Sequence, residues 1–227
     1  MINKLCIIGG TSLLESSFFK DYRLITAKTA YGEVTLFNRD NVYFIQRHLG
    51  NLPPHQINYR GYIQAAADLG VKNIIGIYSV GSLKKKIRPE KILIPHDFIS
   101  PFTISTFFDG KIIHIKPCFS KNLINLISRA CKKTRVSFYN RGVYLQTFGP
   151  RLETPAEIKM FSRFADVVGM TLGNETTLIC EKGINFAAIC SVDNYANGID
   201  GKLDMNKIKA GAKKNIEKIE KILENII

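Results

Sequence analysis

The sequence predicts an α/β protein, a largely parallel sheet flanked by helices and formed as a single domain over residues 1–227. Three observations predict it. Short apolar, β-branched runs recur at 5–8, 42–45, 74–78, 92–94, 143–145 and 186–192, as buried strands do. Between the later runs lie patterns of helical period at 56–69, 121–133, 155–165 and 174–182, and strands alternating with helices favour parallel pairing. With 227 residues, 45% hydrophobic and 22% charged, the chain is large enough to bury a full core without staples.

Taken in order, the N-terminal run up to Gly9-Gly10 reads as a buried first strand. It is too short and too glycine-bounded for a secretory signal, which suggests a cytoplasmic protein. Gly9-Gly10-Thr11-Ser12 closes that strand; glycines let a ligand approach the backbone, and hydroxyls beside free N–H groups suit an anion. It is neither a Walker A sequence nor a dinucleotide fingerprint. Gln46-Arg47-His48 ends a later strand and offers a planar multidentate cation beside an imidazole. Pro53-Pro54-His55-Gln56 starts a helix, and Ser79-Val80-Gly81-Ser82 ends the run 74–78. Strand ends in an open α/β sheet converge on one crevice, so these three segments together predict an anion site with phosphate as its occupant.

A strand over 142–147 leads into Gly149-Pro150-Arg151-Leu152-Glu153-Thr154-Pro155. Thr154 is the expected N-cap of the following helix and Pro155 its first residue. Glu153 therefore sits in a strand-to-helix connection, where such folds hold their ligands. In the closing helix Met205, Ile208, Ala212, Ile216, Ile219, Leu223 and Ile226 step by three or four along one face.

Composition excludes several classes. No apolar run approaches the ~20 residues of a membrane span. The five cysteines have no spacing suited to zinc or a redox motif. The net charge of +13 raises nucleic acid as a partner. Much of it, however, lies at Lys84-Lys85-Lys86 and in a closing helix whose lysines alternate with Glu217, Glu220 and Glu224, the pattern of a solvated face. No basic-aromatic recognition module accompanies it, and a small anionic substrate accounts for the sign equally well.

With Gly9-Gly10-Thr11, Arg47-His48, Pro53 to Arg60, Ser79-Val80-Gly81-Ser82-Leu83, Gly149 to Thr154 and Val168-Gly169-Met170-Thr171 in this order, the chain resembles the trimeric purine nucleoside phosphorylases. Within them it is most similar to the methylthioadenosine/methylthioinosine phosphorylase branch. The resemblance implies a phosphorylase/hydrolase-like fold, a twisted mixed β-sheet flanked by helices. It also implies cleavage of a purine nucleoside by inorganic phosphate, with phosphate as co-substrate and no metal or organic cofactor. By resemblance Thr11, Arg47, His48, Ser79 and Thr171 hold phosphate with the Val80 amide, and Met170 lies against the ribose. His114 matches a residue lent to a neighbouring subunit, which implies a homotrimer, alone or as a dimer of trimers.

Base and sugar preference follow from particular side chains. The adenine-selective branch resembles this chain except for Ser at Glu153 and Asp at Asn194; the 6-oxopurine branch carries Glu and Asn. A carboxylate accepts from the ring N1–H of hypoxanthine, and an Asn amide pairs with O6 and N7. Adenine has no N1–H to give. An apolar Met205/Ile208 pair suits a 5′-methylthio group better than a hydroxyl. Three departures from the family pattern stand out. The segment from Arg47 to Pro53 is about two residues short and lacks a histidine; Asn174-Glu175 replaces Pro-Glu; and Asp193 stands where Thr is usual. If Asp193 rather than Asn194 faces the base, adenine selectivity returns, since a one-residue shift flips the face. The leading expectation is a 6-oxopurine nucleoside phosphorylase acting on 5′-methylthioinosine. The alternatives are a methylthioadenosine phosphorylase and a catalytically impaired nucleoside-binding protein on the same scaffold.

Overall fold

The structure, a computed structural model, describes residues 4–14, 16–102, 105–201 and 205–227, without the side chains of Met205 and Lys207. In chain order the elements are β1 (Leu5–Gly9), β2 (Arg23–Thr29), β3 (Gly32–Arg39), β4 (Val42–Gln46), α1 (Tyr59–Asp68), β5 (Asn73–Ser82), β6 (Lys91–Leu93), β7 (Asp97–Ile99), α2 (Lys121–Lys133), β8 (Phe138–Tyr139), β9 (Val143–Gln146), α3 (Pro155–Phe161), β10 (Val167–Gly169), α4 (Leu172–Glu181), β11 (Asn185–Tyr195) and α5 (Met205–Glu224). All six predicted strands and all five predicted helices are present.

The sheet is mixed rather than largely parallel. Its spine runs β2-β3-β4-β1-β5-β10-β9-β7, and β5 also pairs with β11, which continues to β6 and β8. β4, β1, β5 and β11 lie parallel in the middle. The antiparallel pairs are the β2–β3–β4 meander, β5–β10 and β6–β11. The β2–β3 hairpin escaped the sequence reading because its residues are mostly exposed or half-buried and carry no buried apolar run to betray them. β5 is the hinge of the architecture: its first half pairs with both β1 and β11, and its end at Gly81–Ser82 pairs with β10. Helices α1 and α4 cover one face, in a core with Ile63, Ile74, Leu178 and Phe186. Helices α2 and α5 cover the other, with Ile75, Ile127, Ile189 and Ile219. Among the described residues no helix is long and apolar enough to cross a membrane.

The closing helix buries a different stripe from the apolar one. Ile219, Leu223 and Ile226 are buried as expected, but Ala212 and Ile216 are only half-buried, and Gly211 and Asn215 complete the inner face. A Cβ at Gly211 would collide with the backbone carbonyl of Asp193. The glycine thus lets α5 pack directly on β11.

Candidate active site

One cavity of about 420 Å³ opens at the carboxyl ends of the central strands. Of the predicted site residues, Thr11, Arg47, His48, Ser79, Val80, Glu153, Met170, Thr171, Asn194 and Ile208 line it. The convergence expected of an open α/β sheet is realised: Ser79, Val80 and Asn194 lie in the carboxyl-terminal parts of β5 and β11, and the others, Ile208 apart, follow a strand.

Arg47 is the most constrained of them. Its guanidinium is buried, and Nε and Nη2 donate to the Glu175 carboxylate at 2.7 and 3.0 Å. Nη1 donates to the Ile77 carbonyl at 2.7 Å, and the group lies over the Tyr78 ring, 4.5 Å from its centroid. A Cβ at Gly10 would collide with Nη1, so the glycine ending β1 makes room for the guanidinium. Glu175 also accepts from the hydroxyls of Tyr62 and Tyr78. Burial alone would lower the Arg47 pKa, but the charge of Glu175 outweighs it and raises it. Burial, reinforced by Glu175, pushes both tyrosines well above their ordinary value. Glu175 is the functional residue that sequence reasoning left without a role. Nothing local joins it to Arg47, but a buried arginine requires a buried anion, and Glu175, in the first turn of the helix that follows Thr171, supplies it.

His48 donates its Nδ1–H to the Leu52 carbonyl at 2.7 Å. The shortened segment therefore folds back on itself, turning through Gly50 and Asn51 at φ +75° and +60°, and Leu52 joins the cavity wall. Thr171 is the N-cap residue of α4 yet makes no side-chain cap bond. Gln146 Oε1 caps instead, accepting from the Gly173 and Asn174 amides at 2.5 and 3.2 Å. The Thr171 hydroxyl is thus available at a helix N-terminus, where an anion is favoured.

Glu153 is buried, and its Oε1 accepts from Thr147 Oγ1 at 2.5 Å. Its neighbours hold it from both sides. Thr154 is the N-cap and Pro155 lies in the first turn, as the sequence predicts, and Glu157 completes a reciprocal capping box with Thr154. Arg151 clamps Glu157 at 2.8 and 2.7 Å, and Asn197 Nδ2 donates to the Glu153 carbonyl at 3.1 Å.

The Asp193/Asn194 ambiguity has a structural answer. β11 bulges against β5 between Val192, paired with Val80, and Asn194, paired with Gly81. The inserted residue is Asp193, and a bulge re-aims side chains in this way beside functional sites. Asn194 lines the cavity, whereas Asp193 does not. Asp193 is 2% exposed behind the wall, accepting from Ser79, Ser191 and Asn215. Its predicted substrate contact is therefore corrected: it is a buried support. Burial raises its carboxyl pKa, and the three donors pull the other way. His114 is exposed in the segment before α2 and does not line the cavity of its own chain. The Met205 side chain lies outside the described residues. Ile208 does line the cavity, and Leu14 and Leu52 add apolar surface that the sequence reading did not name.

An arginine, hydroxyls, a buried carboxylate and a side-chain amide thus line one cleft of a mixed α/β sheet. The chain belongs to the phosphorylase superfamily, whose family model matches residues 4–227. It is 39% identical, over 97% of its length and 94% of the relative's, to a protein of Archaeoglobus fulgidus named "Probable 6-oxopurine nucleoside phosphorylase". It is 37% identical, over 97% and 90%, to one of Methanocaldococcus jannaschii named "Probable S-methyl-5'-thioinosine phosphorylase". The fold matches that of the Schistosoma mansoni adenosine/methylthioadenosine phosphorylase with a TM-score of 0.89 at 22% identity, covering 99% of this chain and 90% of that one.

Proposed function

We propose that the chain is a purine nucleoside phosphorylase that cleaves 6-oxopurine nucleosides, 5′-methylthioinosine first among them, to the free base and a ribose 1-phosphate. One observation carries the reading. Glu153 and Asn194 line the same cavity as Arg47, His48 and Thr171, so a base-reading pair and an anion wall share one cleft. Phosphate held by Thr11, Arg47, His48, Ser79, Thr171 and the Val80 amide would lie under the sugar, with Met170 against the ribose. A phosphate oxygen bonds to the anomeric carbon as the carbon–N9 bond breaks, and the anion stabilises the oxocarbenium-like charge between them. The electron pair of the broken bond passes to the purine. Asn194 stabilises the departing ring at O6 and N7, and Glu153 accepts from N1–H. Inorganic phosphate is the co-substrate, and the chemistry requires no metal or organic cofactor.

The apolar contributions of Ile208, Leu14 and Leu52 favour a methylthio group at the 5′ position. The same reading makes the enzyme a cytoplasmic homotrimer. His114, with exposed Ile112 and Ile113 beside it, is accessible to a neighbouring copy. A second reading, adenine-selective methylthioadenosine phosphorolysis, is favoured by 34% identity to the Pyrococcus horikoshii protein of that name. The burial of Asp193 weighs against it.

The test is release of free base from methylthioinosine, methylthioadenosine, inosine and adenosine, each with and without phosphate. Phosphate-dependent hypoxanthine release, fastest from methylthioinosine, is expected. Adenine released faster would favour the second reading, and no release from any would leave only a binding protein.

His48 gives a separate expectation. Burial lowers its pKa, while its bond to Leu52 opposes the shift, so the fold favours the neutral ring. Its contribution to stability is then complete above the unfolded value of about 6.5 and is lost as pH falls through the folded value below it. Imidazole NMR is expected to show titration below 6.5, rising on addition of phosphate. A midpoint unmoved by phosphate would remove His48 from the anion site.

A further inference from the structure

Asp193 has no place in the family pattern and no contact with the cavity, yet it is framed on every side by donors. Ser79 Oγ donates to its Oδ2; Ser191 Oγ and, at 3.0 Å, Asn215 Nδ2 donate to its Oδ1. Asn215 is fully buried and its orientation is fixed. Its Oδ1 accepts from Lys218 Nζ at 3.0 Å, which turns its NH2 toward Asp193 and toward the Val192 carbonyl at 3.2 Å. The consequence falls on Ser79, which touches both Asp193 and the cavity. A serine hydroxyl has one proton, and this one is committed to a carboxylate. What Ser79 presents to the cavity is a lone pair.

We propose that the Asp193–Ser79 pair makes the anion site selective for a protonated tetrahedral oxyanion, with Ser79 accepting a hydrogen bond from the anion's own O–H. Hydrogen phosphate is then taken and sulfate refused. The inference rests on the phosphorolytic reading above. Hydrogen phosphate and sulfate share shape and charge at neutral pH, but only the phosphate carries a proton. A sulfate oxygen against the Ser79 lone pair sets acceptor against acceptor, which rejects the wrong ligand by repulsion rather than by fit. The same contact orients phosphate, directing its P–OH to Ser79 and leaving its three unprotonated oxygens for the donors and for attack on the sugar. Asp193 is thereby a positioning residue that acts through Ser79.

The experiment is calorimetric titration of the protein with phosphate, arsenate and sulfate, with each anion also added to the phosphorolysis assay. Phosphate and arsenate, both protonated, are expected to bind roughly tenfold or more tightly than sulfate, the difference made by one hydrogen bond to a charged group. Asp193→Asn supplies an amide N–H2 that donates to Ser79 and releases the serine proton toward the cavity. The phosphate-to-sulfate ratio is expected to collapse toward one. Ser79→Ala removes the acceptor while leaving Asp193, and is expected to collapse the same ratio, which covers a failure of Asp193→Asn to fold. Equal binding of sulfate and phosphate by the unaltered protein overturns the proposal, as does an unchanged ratio in a folded variant. Phosphate-dependent turnover without anion discrimination would sink this inference and leave the phosphorolytic reading standing. Discrimination without turnover would do the reverse.

Discussion

Glu153→Gln is expected to lower kcat/KM for methylthioinosine by roughly two orders of magnitude or more, the scale on which losing a designed polar contact to substrate is felt. The substitution preserves shape and removes one acceptor oxygen. Thr147 Oγ1 already donates to Oε1, so the glutamine is held with its carbonyl toward Thr147 and its NH2 toward the base. Two donors, the new amide and the purine N1–H, would then face each other. Adenine presents an unprotonated N1 instead, which accepts from the amide. The ratio of methylthioinosine to methylthioadenosine turnover is therefore expected to fall further than either rate alone. Stability should change little, because the capping box and the Asn197 bond to the Glu153 backbone carbonyl do not involve the altered atoms. Initial rates of base release at saturating phosphate, alongside a thermal melt, check both statements. An undiminished kcat/KM for methylthioinosine would take Glu153 out of the base site.

That residue was legible in the sequence because everything local pointed to it. A strand, a glycine-proline turn and an N-capped helix fix a connection, and connections at strand ends carry ligand contacts. The same logic found Thr11, Arg47, His48 and Thr171 just beyond strand ends, and Ser79, which the structure places within β5, near its carboxyl end. What could not be read were features that depend on one element meeting another. The bulge that turns Asp193 inward exists only as a mismatch between β11 and β5, and a mismatch between two strands leaves no trace in either alone. Gly211 and Asn215 interrupt an apolar stripe and so look like solvent-facing positions. They are buried because β11 brings a carbonyl and a carboxylate against them. Glu175 lay 128 residues from Arg47, with nothing local to join them. Hydrophobic period reports which faces meet a core, and polar contacts across a core have no period.

Arg47→Ala is expected first to destabilise the protein and only then to weaken its hold on phosphate. The resemblance assigns Arg47 to the phosphate, which alone would make a raised KM for phosphate the main effect of its loss. Its guanidinium, however, gives most of its N–H groups to Glu175 and to the carbonyls of Ile77 and Ile8. Truncation leaves Glu175, fully buried, with only the hydroxyls of Tyr62 and Tyr78 around its charge. Breaking one side of a buried ion pair costs about 3–5 kcal/mol, which for a chain of this size lowers Tm by about 6–20 °C. Arg47→Met combined with Glu175→Gln removes both charges at similar volume and is expected to cost less than the sum of the two single changes. Denaturant melts of the four proteins would measure that coupling. If Arg47→Ala instead melts with the unaltered protein while KM for phosphate rises alone, the guanidinium is turned to the cavity and the pairing with Glu175 is wrong. The two outcomes separate because the ion pair is present before any ligand arrives. An arginine anchored to Glu175 meets phosphate already oriented, with its side-chain entropy spent in folding rather than in binding.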